Sequence, residues 1–305
     1  MSFGELGGGL QPLEGGWSGE TFLADAGGER SVVRVFADPR HHPQAAEIQE
    51  ALHRLVRGLV PVPDVLEVRR ADPAMGTPAL LVTEFVEGVR GDLLLPGLDE
   101  ERRGRLGHHL GEVAATLAGM PFLTGGTFAD RDLRIDPFAL DLTEWVESHA
   151  EALSWAPADL DALREVAADA QYLLDPVSRV CLVHSDLNPK NLVVDPETLR
   201  VRAVLDWEFT HAGSPFTDLG NLLRFERDEA YVSGVLAGYV AIRGGSTSEA
   251  LELARSADLV ALVELAARRT QNPVAARAHD VLLAIARSGN VHIDPEGAPD
   301  VPARG

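Results

Sequence analysis

Over its first 90 residues the chain alternates apolar and polar positions in short runs broken by glycine: LQPLEGGWSGE, then TFLADAGGE, then SVVRVFAD. A period of two bounded by glycine predicts two hairpin-connected strands with a third pairing beside them. Residues 43–58, PQAAEIQEALHRLVRG, then place Ile48, Ala51, Leu52, Leu55 and Leu59 at helical spacing, with Gly58 near the stop. Two further strand candidates follow, VPVPDVLEVRR and PALLVTEFVEG, the second opening into a loop at Gly88. Beyond residue 97 the periodicity turns helical, over 98–119, 140–153, 158–174, 216–241, 247–269 and 274–288, and only 180–208 interrupts it. A small β-rich lobe over 1–88, joined near 84–90 to a larger helical lobe over 89–305, is the simplest architecture. The tail EGAPDVPARG is rich in Pro and Gly and reads as frayed.

The interruption is the most informative stretch: VCLVHSDLNPKNLVVDPETLRVRAVLDWE. Val180 to Val183 suit a short buried strand, whereas Pro189 together with Asp186 and Asn188 requires a loop from His184 to Asn191. Leu192 to Val194 resumes a strand, DPET turns, and Val201 to Leu205 returns to deliver Asp206. Asp186, Asn191 and Asp206 are therefore expected at one end of a hairpin. Asp186 can accept the proton of an attacking hydroxyl, while Asn191 and Asp206 offer hard oxygens to a Mg²⁺ ion bridging nucleotide phosphates. Taken singly, these residues are ordinary turn formers, capping groups and strand ends. The joint spacing HxDxxxxN, followed by a strand ending in DxE, is what points to phosphoryl transfer.

HSDLNPKNLVV and VLDWEFTHAGSPFTDLG resemble the catalytic and metal-binding motifs of the aminoglycoside phosphotransferase family. The resemblance implies an α+β, bilobal protein-kinase-like fold with a small β-rich N-lobe and a larger, mainly helical C-lobe. It carries over Asp186 as catalytic base, His184 as a residue shaping the loop, Asn191 and Asp206 as Mg²⁺ ligands, Glu208 as an auxiliary ligand and Asp218 as a brace of the loop. The family's usual pattern has glycine where this chain has Ser185; a serine fits there if the backbone angles stay ordinary. Gly15, Gly16, Ser18 and Gly19, ahead of the VVRVF strand, match the family's phosphate-covering loop, in which backbone N–H groups approach phosphate oxygens. Arg34 stands where protein kinases carry a phosphate-pairing lysine, and its planar fork can grip phosphate bidentately. Glu47 borders the apolar face of its helix and is expected to pair with Arg34, whereas Glu50 points nearly opposite. LLVTEFVEG resembles the strand and hinge between lobes, where the backbone of Glu84, Phe85 and Val86 would hold a purine edge between Val33 and Val82. ATP or GTP with Mg²⁺ is the implied cofactor set.

Composition narrows the partners. The 305 residues carry a formal charge of -20 and a pI near 4.8, which argues against nucleic acid, whose affinity comes from Lys and Arg on phosphates. A small hydroxylated acceptor of cationic character suits that charge, although net acidity also serves solubility. Cys181 is the only cysteine, so no intramolecular disulfide can form, and its apolar surroundings mark a buried hydrophobe. No stretch approaches the ~20 apolar residues that span a bilayer, and the first residues lack a basic segment followed by an apolar one. The expectation is a cytoplasmic chain without membrane partners. For the acceptor, acidic residues in 136–151 and 226–230 could hold ammonium groups and Trp145, Trp155 and Trp207 could stack on a sugar, each being equally at home on a helix surface or in a core.

The expected function is ATP- or GTP-dependent O-phosphorylation of an aminoglycoside or another hydroxylated antibiotic. Two alternatives stand beside it: a housekeeping kinase for choline, a sugar or an amino alcohol, and a non-catalytic kinase-like binding module. The retention of Asp186, Asn191 and Asp206 argues against the last.

Overall fold

In the computed structural model, which describes residues 10–13 and 21–293, the alternating runs at the start of the chain pair as strands. They are β1 (Leu10–Pro12), β2 (Thr21–Ala26) and β3 (Glu29–Phe36), followed by α1 (Ala45–Val56), β4 (Val65–Arg69) and β5 (Ala79–Glu84). Next come β6 (Val89–Arg90), α2 (Gly91–Leu94), α3 (Glu100–Leu117), β7 (Pro121–Phe122), β8 (Gly126–Phe128) and β9 (Ile135–Pro137). The rest is α4 (Leu142–Leu153), α5 (Pro157–Leu174), β10 (Val180–Val183), β11 (Leu192–Val194), β12 (Val201–Val204), β13 (His211–Gly213), α6 (Thr217–Leu223), α7 (Glu229–Arg243), α8 (Thr247–Ala266) and α9 (Pro273–Ser288).

The chain forms two compact units. The first takes Met1–Leu98 with Gly126–Asp136 and Asn188–His211; the second takes Asp99–Gly125, Pro137–Leu187 and Ala212–Gly305. A single cut after residue 88 does not express this division, because 188–211 groups with the sheet.

In the first unit the strand order is β1-β2-β3-β5-β4, antiparallel throughout. The β2–β3 turn is made by Gly27 and Gly28 at φ 68° and 90°, the positive angles that two-residue hairpins demand. Arg34 lies opposite Thr21 on β2 and Leu81 on β5. One face of α1 closes on the sheet through Ala46, which packs with Phe36, Ala79 and Leu81. A second, three-stranded sheet orders β12-β11-β6.

In the second unit α4, α5, α8 and α9 bury a core that includes Leu142, Val146, Leu163, Val263 and Leu282, and β7 pairs with β10. Helices α3 and α7 touch backbone to backbone: a Cβ on Gly111 would stand 2.0 Å from the Val235 carbonyl oxygen.

Two expectations change. The helix expected over 216–241 is two helices, because Asp228 accepts the Tyr231 N–H at 2.9 Å and caps the start of α7. Short strands β7, β8, β9 and β13 also interrupt the helical region, so 180–208 is not its only break. Among the described residues no helix is long and apolar enough to cross a membrane.

Candidate active site

In the helical unit β10 runs into a loop that is gripped by its backbone. The Asp218 carboxylate, in the first turn of α6, accepts the His184 N–H at 2.9 Å and the Ser185 N–H at 2.8 Å. His184 and Asp218 are both buried, so the bond between them replaces water that neither partner can reach. His184 in turn accepts the Asp186 N–H at Nδ1, 3.3 Å away. Ser185 has φ 70°. The condition of ordinary angles is not met there: the backbone is left-handed, where a Cβ crowds the following carbonyl and costs about 1–2 kcal/mol. The family's glycine was the signal for this. At the other end of α6, Arg224 grips Asp258 of α8, Nε 3.0 Å from both carboxylate oxygens and Nη2 2.7 Å from one. Both side chains are buried.

In the sheet unit Asn188 caps a single turn, Pro189–Asn191, by accepting the Lys190 N–H at 3.1 Å. The Leu205 N–H donates to the Asn191 carbonyl at 2.8 Å, one step beyond the Leu192–Val204 pair of β11 and β12. That register sets Asn191 and Asp206 at the same end of the hairpin. Asp206 itself is left-handed, φ 65° and ψ 64°, and leads into the turn Trp207–Phe209 that carries Glu208.

Both carboxylates reach one guanidinium. Arg34 Nη1 bonds Asp206 Oδ1, and Nη2 lies 2.7 Å from Glu208 Oε2. His41 Nε2 stands 3.7 Å from the same Glu208 oxygen. Glu47 is buried on α1, and its ion pair is not the expected one with Arg34. Oε1 lies 3.1 Å from Arg70 Nε, while Oε2 is buried without a hydrogen-bond partner. Two carboxylates hold Arg34 where one could not compete. Glu50 faces outward and pairs with Arg54.

Of the expected hinge donors, the Glu84 N–H goes to Asp64 O at 2.9 Å and the Phe85 N–H to Arg30 O at 3.3 Å. Among the described residues the Val86 N–H has no partner, which leaves it as the donor available to a base edge. Val33 and Val82 face each other across β3 and β5. Gly15, Gly16, Ser18 and Gly19 lie outside the described residues.

The donor set suits Mg²⁺. Two carboxylates already converge on one cation, and the hairpin register sets Asn191 at the same end as Asp206. Mg²⁺ takes one or two protein carboxylates and completes its shell from phosphates and water. Among the described residues no group of three His, Cys, Asp or Glu would hold a metal by itself.

The residues considered for the acceptor are largely absorbed by the fold. Trp207 is 1% exposed, donates Nε1–H to Val204 O and meets His53 edge-on, so it cannot stack on a sugar. Trp145 donates to Val260 O and Trp155 to His279. Asp141 caps α4, and the Thr143 hydroxyl and nearby N–H groups hold its carboxyl below the ordinary range. Glu147 pairs with Arg164, and Asp228 with Arg103. Glu226 differs, since burial pushes its carboxyl above the ordinary range. Burial also pushes the Cys181 thiol up to about 12, so it is inert.

The model of the phosphotransferase enzyme family matches residues 9–253. Acyl-CoA dehydrogenase family member 10 of Mus musculus is 26% identical over 215 residues, covering 69% of this chain and 20% of that protein. Member 11 of the same organism is 27% identical over 222 residues, covering 69% of this chain and 27% of that protein. The chain thus spans about a quarter of the length of these curated relatives. Among solved structures, the apo form of a thermostable mutant of aminoglycoside phosphotransferase APH(4)-Ia aligns with TM-score 0.63 at 20% identity, over 92% of this chain and 94% of that one. The GDP complex of wild-type aminoglycoside 2'-phosphotransferase-IIIa gives 0.64 at 16% identity, over 94% and 95%. At such identities the likeness speaks for the fold, which is the α+β, protein-kinase-like one.

Proposed function

The chain belongs to the phosphotransferase enzyme family, and from that premise we propose that it moves the γ-phosphoryl group of ATP or GTP to a hydroxyl of a small molecule, an aminoglycoside or another antibiotic being the first choice. The observation that carries this reading is the convergence of Asp206 and Glu208 on a single cation, at the hairpin end that also holds Asn191. Bound Mg²⁺ would offset charge on the β- and γ-phosphates. Asp206 and Asn191 would hold that ion, with Glu208 beside them. Asp186 orients the acceptor hydroxyl and takes its proton as the acceptor oxygen bonds to the γ-phosphorus. The bond from that phosphorus to the bridging oxygen breaks, and the nucleoside diphosphate leaves with its pair of electrons. The Val86 N–H is assigned to the base edge. Two APH(4)-Ia complexes contain AMP-PNP or ADP together with hygromycin B, and the 2'-phosphotransferase contains GDP; these favour a nucleotide and a cationic hydroxylated acceptor, as does the charge of -20.

A coupled nucleotide-consumption assay over antibiotics and metabolites, with mass spectrometry of products, tests the reading. The product should be heavier by one phosphoryl group, and Asp186→Ala should lower the rate by about 10²–10⁴-fold with an unchanged melting curve. A retained rate removes Asp186 from its role. The sequence relatives favour a second reading, in which the acceptor hydroxyl sits on an acyl-CoA. The acidity of the chain opposes a phosphate-bearing acceptor of that kind, and hydroxyacyl-CoA esters in the same panel decide between the two.

A further inference from the structure

On the reading above, which this inference presupposes, Arg34 serves the nucleotide's phosphates; in the structure it is instead clasped by the two carboxylates assigned to the metal. We propose that Arg34 is an internal cation closing the metal site until phosphate draws it away, so that it couples the binding of nucleotide to that of the metal.

The geometry supplies the first argument. Arg34 bonds Oδ1 of Asp206 and Oε2 of Glu208, oxygens that a divalent ion would use. Its side chain is 12% exposed, against 31% for Asp206 and 21% for Glu208, so solvent screens the attraction less than on an open surface. Chemistry adds to the geometry. A guanidinium does not deprotonate in a protein, so Arg34 stays a cation throughout, and a phosphate can compete for its fork with paired, charge-assisted bonds.

Arg34 also has somewhere to go. Strand alternation puts Arg34 and Phe36 on one face of β3, and the guanidinium lies 5.5 Å from the Phe36 ring centroid. Phe36 packs on Ala46 of α1, and the next residue, Glu47, holds a buried Oε2 with no hydrogen-bond partner. Its other oxygen is tied only to Arg70, a side chain 65% exposed. Arg34 turned toward α1 would satisfy that oxygen while gripping phosphate, and would leave Asp206 and Glu208 to the metal. By linkage, nucleotide then tightens metal and metal tightens nucleotide by the same factor.

Mn²⁺ is the probe, with its free fraction read by electron paramagnetic resonance on the full chain. Without nucleotide, Arg34→Met should bind Mn²⁺ about 10-fold more tightly than the unaltered protein, within the ordinary span of coupling. Arg30→Met removes the same charge from the same strand, where Arg30 pairs with Glu87, and should change nothing. Arg34→Lys keeps the charge, loses the fork and should fall between, which gives a second measure should the Met variant fold poorly. With ADP present, Glu47→Gln should weaken Mn²⁺, since Arg34 loses its other partner.

An unchanged affinity in Arg34→Met, while Asp206→Asn abolishes Mn²⁺ binding, overturns the inference and leaves the metal reading standing. Equal tightening in Arg30→Met overturns it as well, because a general field would then be the cause. No Mn²⁺ bound by the unaltered protein, even with ADP, overturns the metal reading and the inference with it.

Discussion

In the helical unit the loop bearing Asp186 is held through its backbone, whereas in the sheet unit Asp206 and Glu208 are held through their side chains. The Asp218 carboxylate that grips His184 and Ser185 is buried, and the partners it holds are peptide N–H groups fixed by the fold. The Arg34 guanidinium that grips Asp206 and Glu208 is a side-chain fork on partly exposed oxygens, for which a phosphate can compete. The contrast separates two tasks. On the function proposed above, a base must stand in one place before any substrate arrives, and folding would position it; a metal would come and go with nucleotide, and its ligands would be held by a bond that a ligand can break.

The largest test of this contrast is the Arg224–Asp258 pair, which fixes the far end of the helix bearing Asp218. Arg224→Met leaves the Asp258 carboxylate buried at 3% exposure without its bidentate partner. Removing one member of a buried pair costs about 3–5 kcal/mol, which a urea denaturation curve reads directly. Turnover should fall as well, because α6 loses its anchor on α8. A loss below about 1 kcal/mol, the scale of a surface pair, would show that packing alone fixes α6.

Asp218→Ala comes next. It strands two backbone N–H groups at a cost of about 1–3 kcal/mol each, and turnover should collapse with the loop. Binding of MgADP, measured by titration calorimetry, should stay close to that of the unaltered protein, since the nucleotide residues assigned to the sheet unit do not lean on Asp218. Equal loss of nucleotide affinity would break the separation of the two halves.

The loop was legible because its information is local. Pro189, Asn188 and Asp186 dictate a turn within eight residues, and β-branched runs on either side dictate the strands. Glu47 was legible as inward-facing from helical phase, but its partner was not. Arg34 and Asp206 lie 172 residues apart, and no pattern along the chain says which of several carboxylates an arginine meets. Trp207 sits in a motif, yet burial decided its role, and burial is a property of packing. The break between α6 and α7 did have a signal in Asp228, a capping residue inside an otherwise helical pattern. Strands of two or three residues such as β7 and β9 hold too few positions for any period to show. At Ser185 the residue type alone says nothing about φ, whereas glycine in the family's pattern does.

That position yields the smallest effect and the cleanest test of the braced half. Ser185 holds φ 70° because Asp218 and the strand before it over-determine the loop. Ser185→Gly removes the Cβ from a left-handed position, a relief of about 1–2 kcal/mol, partly offset by the roughly 0.5–1 kcal/mol of extra chain entropy a glycine loses on folding. The net expectation is a gain of order 0.5–1 kcal/mol, read as a higher urea midpoint with an unchanged slope. Ser185→Ala is the control: it keeps the Cβ and therefore the strain, and should leave the midpoint near that of the unaltered protein. Should Ala stabilise as much as Gly, the strain would not lie in the backbone, and the hydroxyl would be its source. Should neither change stability while Gly lowers turnover, the left-handed serine would be holding Asp186 in place, and the brace would extend one residue beyond Asp218's two hydrogen bonds.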